Sequence, residues 1–330
     1  MTNGTEWWSV NQTTLFSPNA IATVLITGIP IAILIANLPA ILTVISITVR
    51  KENVKNLHIF SVAITDAFVG VFAYLMGETY IHTDMQFSFF NCCFRYYMYS
   101  VTFVASMLHV LGICVHRLNI LTSNPQPQQN QRIIEWVVIV TSWLTSVVVN
   151  TIAFVLWTTD RYDMAVCSID ALVHGHELHF FYFIGSIYAI IISLVTAAMW
   201  ILLRLIWIKR RILPGNAWGL KDVKLCATIG IIGILFVVST TPLTCVLLNY
   251  EYLGENKRTQ RAMWLLFSLL NSLINPFVYL FRIKEFRENL KNIFCCRKFN
   301  TVTSAPIRIN VATLRNSTIS QNIQNEENNM

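Results

Sequence analysis

The stretch NSLINPFVYLFRIKEF, residues 271–286, decides how this chain is read. It is apolar enough for a membrane, yet it keeps Asn271, Ser272, Asn275 and Pro276 and then turns sharply basic. Polar side chains and a proline inside hydrocarbon are tolerated only where neighbouring segments satisfy them. The stretch therefore calls for partners elsewhere in the sequence.

The rest of the chain supplies a membrane setting. It has 330 residues, 55% hydrophobic and only 12% charged, with a mean hydropathy of +0.54. That is too apolar and too charge-poor for a soluble globule of this length. Windows of about 20 apolar residues, the length that crosses about 30 Å of hydrocarbon, recur along it. There are seven: residues 21–49, 54–81, 89–121, 133–157, 178–208, 223–250 and 261–281. The expected fold is an all-α membrane protein, a seven-transmembrane helix bundle with a short amphipathic eighth helix on the inner leaflet. The expected divisions are an N-terminus over 1–18, the bundle over 19–282, the amphipathic helix over 283–296 and a disordered tail over 297–330.

Orientation follows from the basic residues. With the N-terminus outside, the inner side holds Arg50, Lys51, Lys55, Arg117, Arg132, a group between Arg204 and Lys224, and all those from Arg282 onward. Only Arg95, Arg161, Lys257, Arg258 and Arg261 fall outside, so the positive-inside rule places the N-terminus outside. The basic surplus faces anionic lipid, and no nucleic-acid partner is implied. The sequons at Asn3 and Asn11 fall on the outer side, where glycosylation is expected. The start MTNGTEWWSV lacks the pattern of a cleaved signal peptide, so the first helix is expected to act as its own signal.

Polar residues inside the spans carry the chemistry. Asp66 lies about twelve residues into the second window, near the bilayer midplane, where an unpartnered carboxylate costs roughly 2.5–3.5 kcal/mol or more. Ser106, Asn271, Ser272, Asn275 and Asn37 are intramembrane polar partners for it.

Asn37 in IANLPAIL, Asp66 in AITDAF, Arg117 in CVHRLNI, Trp143, Pro242 in STTPLTC and Asn275-Pro276-Phe277-Val278-Tyr279 together resemble the helix landmarks of rhodopsin-like (class A) G-protein-coupled receptors. The resemblance covers residues 20–296, and NPFVY is its most specific part. It implies a disulfide between Cys92 and Cys167, for which Cys93 is a rival, on the oxidising face. It also implies that Asp66, Ser106, Asn271, Ser272 and Asn275 form a pocket for one sodium ion, a hard cation that takes oxygen ligands. A purely structural network of the same groups is the other reading. Pro276 loosens its helix locally, and Tyr279 would swing inward on activation by this resemblance. Heterotrimeric G protein, arrestin and receptor kinases are the implied inner partners, with membrane lipid around the bundle.

After the seventh window, Ile283, Phe286, Leu290, Ile293 and Phe294 recur every three or four residues among basic positions, the pattern of an interfacial amphipathic helix. Cys295 and Cys296 end it as palmitoylation candidates or as two plain thiols.

Two departures stand out. The family usually has an acid before the arginine, whereas this chain has His116 beside Arg117. Asp222, at the inner end of the sixth helix, is either a substitute partner for Arg117 or a solvated charge beside Lys221 and Lys224. Where the family tends to place a tryptophan two residues before Pro242, this chain has Thr240.

The ligand is read from the outer third. Tyr99 occupies the position at which amine receptors of the family carry an aspartate, and Leu269 the position of a Schiff-base lysine, which argues against monoamines and retinal. Arg95, one turn above Tyr99, and Arg261, with Trp264 three residues on, are forks suited to a carboxylate or phosphate. Arg95 has a second reading, as the partner of Glu78. The expected ligand-binding set is Glu78, Arg95, Tyr99, Thr102, Phe103, Thr244, Arg261 and Trp264. A lipid or other organic acid ranks first and a peptide next.

HGHELH, residues 174–179, is one residue too short for a zinc-protease box, so its histidines and His82 are left as proton or metal sensors at most. No internal repeat supports a transporter and no charged ring a channel. No enzymatic activity is expected. The function read here is a plasma-membrane, multi-pass receptor that converts binding of an extracellular ligand into G-protein activation, without a cofactor other than sodium. Its rivals are a receptor-like decoy or partner that does not couple and, further back, a transporter.

Overall fold

The computed structural model describes residues 20–51, 57–81, 87–122, 128–158, 167–212 and 220–282, with the isolated positions 287, 288 and 290; at several helix ends, including 220–227 and 279–282, it describes backbone only. The expected glycosylation sites Asn3 and Asn11, the palmitoylation sites Cys295 and Cys296, and His82 lie outside the described residues. Met1–Lys291 form one compact unit and Asn292–Met330 a second, which falls entirely outside the description.

The described chain is helical throughout: α1 (Ala20–Lys51), α2 (Leu57–Ile81), α3 (Phe89–Thr122), α4 (Gln128–Trp157), the single turn α5 (Ile169–Leu172), α6 (Glu177–Ile212), α7 (Leu220–Leu248), a 3₁₀ segment (Tyr250–Asn256), α8 (Lys257–Ser268) and α9 (Leu270–Arg282). Six of these helices, α1 to α4, α6 and α7, are long and apolar enough to cross a membrane. The seventh expected span is the pair α8 and α9, which meet at Leu269. The amide of Leu269 still donates to the Leu265 carbonyl (3.1 Å) and that of Leu273 to the Leu269 carbonyl (3.2 Å), so hydrogen bonding runs through the junction.

Pro276 sits one to two turns beyond that junction, has no N–H to offer, and crowds the carbonyl four residues back. That carbonyl belongs to Ser272, and the side-chain amide of Asn37 on α1 donates to it at 3.1 Å. The same nitrogen also donates to Ile33 in its own helix at 2.9 Å. A proline on one helix thus creates an acceptor, and an asparagine on another satisfies it. This is how a broken helix remains tolerable in hydrocarbon.

The helices close into a ring around α3, which packs against α2, α4, α6 and α7, while α9 returns to α1, α2 and α7. In α3 78% of the membrane window is buried, against 22% in α1, so α3 is the axis and α1 a lipid-facing outrigger. Exposed apolar residues such as Ile35, Leu144, Val155 and Trp200 face outward, as expected of a protein whose solvent is lipid. Small residues set the closest approaches. At Gly70 an added Cβ would lie 2.9 Å from the Pro30 carbonyl oxygen and 3.1 Å from the Leu34 Cγ, whereas one at Gly28 would meet nothing within 4 Å.

Gly70→Ala should therefore lower the thermal-unfolding midpoint of the purified protein, by an amount equivalent to about 1–3 kcal/mol of overpacking. Gly28→Ala in the same assay should show no loss. Equal behaviour of the two variants would contradict the α1–α2 packing.

Candidate functional site

Three polar centres lie along the bundle. The middle one is built on Asp66, which is wholly buried. Ser106 of α3 and Ser272 of α9 donate their hydroxyls to its Oδ1 at 2.6 and 2.7 Å, and Asn275 of α9 donates to its Oδ2 at 2.9 Å. Four of the five residues expected around an ion are thus joined directly. Asn271, also buried, is not bonded to the carboxylate; its Oδ1 has no partner among the described residues, nor has the Oδ1 of Asn37. A carboxylate and two hydroxyls with spare lone pairs form an oxygen-rich donor set compatible with a small hard cation.

The second centre lies where the disulfide is. Cys92, in the first turn of α3, is bonded to Cys167, and Cys93 is not the bridging residue. The bridge ties the segment before α5 to the bundle. Ser168 caps α5, its hydroxyl accepting from the Ala171 amide at 3.1 Å. Two residues beyond that cap, Asp170 receives both guanidinium nitrogens of Arg261, at 2.8 and 2.6 Å, and the phenol of Tyr250 at 3.0 Å. Arg261 also lies over the Phe181 ring, 4.5 Å from its centroid. Gly175, with φ of 81°, lets the chain turn from α5 into α6.

Beneath this pair is a cavity of about 80 Å³, lined by Tyr80, Tyr96, Tyr99, Tyr188, Phe154, Phe180 and Phe181, by aliphatic residues including Leu243 and Leu247, and by Arg261. Among the described residues of that wall, Arg261 is the single cation. Of the expected ligand-binding set, Tyr99 and Arg261 line the cavity. Phe103 stands behind Tyr99, ring centroids 5.7 Å apart, and Thr102 and Thr244 turn their hydroxyls to carbonyls of their own helices. Trp264 is 39% exposed and packs on Phe267.

Arg95 does not face the cavity. Its guanidinium donates to Glu78 at 2.9 Å, to the Leu75 carbonyl at 2.5 Å and to Asn91 at 2.8 Å, and it covers the Phe87 ring. Position on α3 explains this: Arg95 lies on the side that meets α2, while Tyr96 and Tyr99 turn inward. Of its two readings from sequence, the pair with Glu78 is the geometry found. Asp170 and Tyr250 were missed by sequence reasoning. The available signal was a lone aspartate three residues beyond a bridging cysteine.

The third centre is at the end of the bundle that carries Arg117. His116 is buried and turns away along α3 toward Glu135 of α4, Nε2 to Oε1 being 3.4 Å, and its ring lies 5.0 Å from that of His58 on α2. The acid missing before Arg117 thus has a counterpart on another helix. Glu135 was visible as a lone carboxylate in IIEWVVIV and was not singled out. Asp222 and Tyr279 lie in helices α7 and α9, but their side chains are outside the description, and so is any pairing of Asp222 with Arg117. Pro242 and Pro276 lie inside α7 and α9 as expected. Thr240 is buried and donates to the Phe236 carbonyl of its own helix at 2.7 Å, so it fills its place as a small, self-satisfied residue. His109 is likewise fully buried, between the Ser61 hydroxyl and the Ala105 carbonyl, both at 2.6 Å.

The Asp170–Arg261 pair allows a direct test of the outer centre. Removing one partner of a buried ion pair costs about 3–5 kcal/mol, less here because the Asp170 side chain is 30% exposed. Asp170→Ala should accordingly lower the thermal midpoint of the purified protein, and Asp170→Ala with Arg261→Leu should recover part of the loss. A double variant less stable than the single one would contradict the pairing.

Comparison with known proteins fits this arrangement. The profile of the 7 transmembrane receptor (rhodopsin family) matches residues 36–279. The adenosine receptor A3 of Canis lupus familiaris is 27% identical over 308 residues, covering 87% of this chain and 94% of its own length. The lysophosphatidic acid receptor 1-B of Xenopus laevis is 26% identical over 250 residues, covering 73% and 67%. The adenosine receptor A3 of Bos taurus is 26% identical, covering 70% and 76%. With a match over most of its length, and with the spans and buried polar centres described above, the chain belongs to the rhodopsin family of seven-transmembrane receptors.

Proposed function

We propose that this receptor binds an acidic organic molecule, a lipid acid in the first place, in the aromatic cavity beside Arg261, and passes the event to a heterotrimeric G protein at the end that carries Arg117. The observation that carries the reading is a single guanidinium among the described residues of a wall that is mostly aromatic and aliphatic, held by a carboxylate from the disulfide-tethered α5. A ligand carboxylate or phosphate makes the same bidentate contact that Asp170 makes, so the ligand competes with Asp170 for Arg261. The apolar remainder of the ligand suits the aromatic wall. Two of the similar receptors are named for lysophosphatidic acid and for adenosine, and the first name is that of an acid.

The receptor works in the plasma membrane with its N-terminus outside. Ligand entry loosens the Asp170–Arg261 contact and lets α7 pivot at Pro242, which opens the bundle beside Arg117. Thr240 offers no bulky side chain to gate that pivot, so the packing of Phe236, fully buried one turn below, takes its place. A sodium ion held by Asp66, Ser106, Ser272 and the Asn271 oxygen favours the resting arrangement, because it ties α2, α3 and α9 together. Arrestin and receptor kinases are further partners of the activated form.

Competition makes opposite predictions for the two partners. In cells expressing the receptor, a panel of organic acids, lipids, peptides and nucleosides is read by G-protein dissociation. For the active acid, Arg261→Ala should reduce potency at least tenfold, since a charge-assisted bond contributes about 1.5–3 kcal/mol. Asp170→Asn, which frees the guanidinium while keeping the shape, should raise potency. Parallel losses in both variants would refute competition at Arg261. Binding without dissociation of any G protein would favour a non-coupling decoy.

Sodium is tested without a ligand. Raising sodium against a bulky organic cation at constant ionic strength should raise the thermal midpoint of the wild-type receptor, because an ion that binds only the folded state stabilises it by mass action. Asp66→Asn should remove that dependence. A sodium shift that survives in the variant would place the ion elsewhere.

A further inference from the structure

We infer that His58, His116 and Glu135 form a binding site for a first-row divalent transition metal, zinc foremost, which cross-links α2, α3 and α4 at the end of the bundle that carries Arg117. Each of the three residues is more than nine-tenths buried, at 6%, 5% and 8% exposure. One coordinating atom from each lies within 4.8 Å of the other two.

Burial and proximity alone describe many packed polar clusters. The second observation is that this one is poorly satisfied. Both ring nitrogens of His58, Nδ1 of His116 and Oε2 of Glu135 have no hydrogen-bond partner among the described residues. Buried polar atoms are almost always paired, so four orphans in one cluster ask for a missing occupant. The one close contact inside it, His116 Nε2 to Glu135 Oε1, is 3.4 Å, beyond the range of about 2.7–3.2 Å for a good N–H···O bond. It matches instead the edge of a tetrahedron: bonds of about 2.0–2.2 Å to one metal put neighbouring donors about 3.3–3.5 Å apart. The His58 ring is tilted 51° to that of His116, 5.0 Å between centroids, and its coordinating nitrogen lies within 4.8 Å of the other two donors.

The donor set selects the metal. Two imidazoles and one carboxylate suit zinc and its neighbours, while calcium and magnesium require oxygen on nearly all sides. Three protein ligands leave a fourth position for water. Arg117 acts electrostatically on all three residues and opposes an incoming dication, and the Glu135 carboxylate offsets that repulsion. The clamp would hold α2 and α4 against the very segment of α3 whose arginine the proposed coupling uses, but metal binding itself does not depend on that coupling.

The test reads metal and not signalling. Full-length receptor is purified in detergent with His82, His174, His176 and His179 changed to Ala and Cys245, Cys295 and Cys296 to Ser, which removes competing histidine and cysteine ligands outside the cluster. It is stripped with chelator, equilibrated with zinc, desalted against a weak chelator, and its zinc content measured by mass spectrometry. One zinc per chain is expected. His58→Ala and Glu135→Gln should each weaken retention by roughly a hundredfold or more, since even groups that only orient a ligand are worth about 10–100-fold. Without metal these variants lose only the His58–His116 ring contact or the Glu135–His116 contact, so zinc should raise the melting midpoint of the parent and leave theirs unmoved. Should a variant fail to fold, cobalt in the parent protein decides: visible absorption of a tetrahedral cobalt site supports the proposal, and its absence overturns it. Zinc retained equally by parent, His58→Ala and Glu135→Gln, or by none of them, also overturns it.

Discussion

The burial of one carboxylate governs the middle of this bundle. Asp66 has no access to solvent, and a charge in hydrocarbon is stable only when its lone pairs are filled. Ser106, Ser272 and Asn275 fill them from two other helices, which obliges α2, α3 and α9 to meet at a single depth and in a single rotation. The second constraint is linked to the first through the same residue. Ser272 gives its hydroxyl to Asp66, while its carbonyl, released by Pro276, is taken by Asn37 of α1. Four helices are thereby registered by a handful of hydrogen bonds, in a medium where apolar contact alone does not choose between rotations.

The two ends of the bundle solve opposite problems. At the disulfide end, Cys92–Cys167 holds a short segment in place so that Asp170 can be aimed at Arg261, and a buried cation becomes tolerable. Under the proposed function, an acid that enters the cavity takes over that contact, which would make the pair a trigger rather than a simple brace. At the Arg117 end, His116, in the place where the family tends to carry an acid, joins Glu135 of α4 and His58 of α2. Three helices thus share one buried polar contact there.

Much of this molecule was legible as a string. The spans were, because crossing hydrocarbon demands an uninterrupted apolar length that local counting detects. The grouping of Asp66 with Ser106, Ser272 and Asn275 and the pairing of Cys92 with Cys167 were legible through the family resemblance, since the first group sits along helices whose order the resemblance implies and Cys167 lies in the segment between the fourth and fifth spans. Periodicity could also say that Asp66 needed partners, because no isolated carboxylate persists at the midplane.

Tertiary structure alone decided among residues that look alike in sequence. Arg95 and Arg261 are both arginines near the outer ends of spans, yet one is consumed by Glu78 and a carbonyl of α2 while the other lines the cavity. That difference is the rotation of α3 relative to α2, a quantity set by packing over many residues and written at no single position. Glu135 and His58 were equally silent, since their meaning arises only when three helices bring their ligand atoms within 4.8 Å of one of His116. Length and polarity are local properties and survive in the sequence; helix rotation and the choice of partner are collective, and they exist only once the bundle has closed.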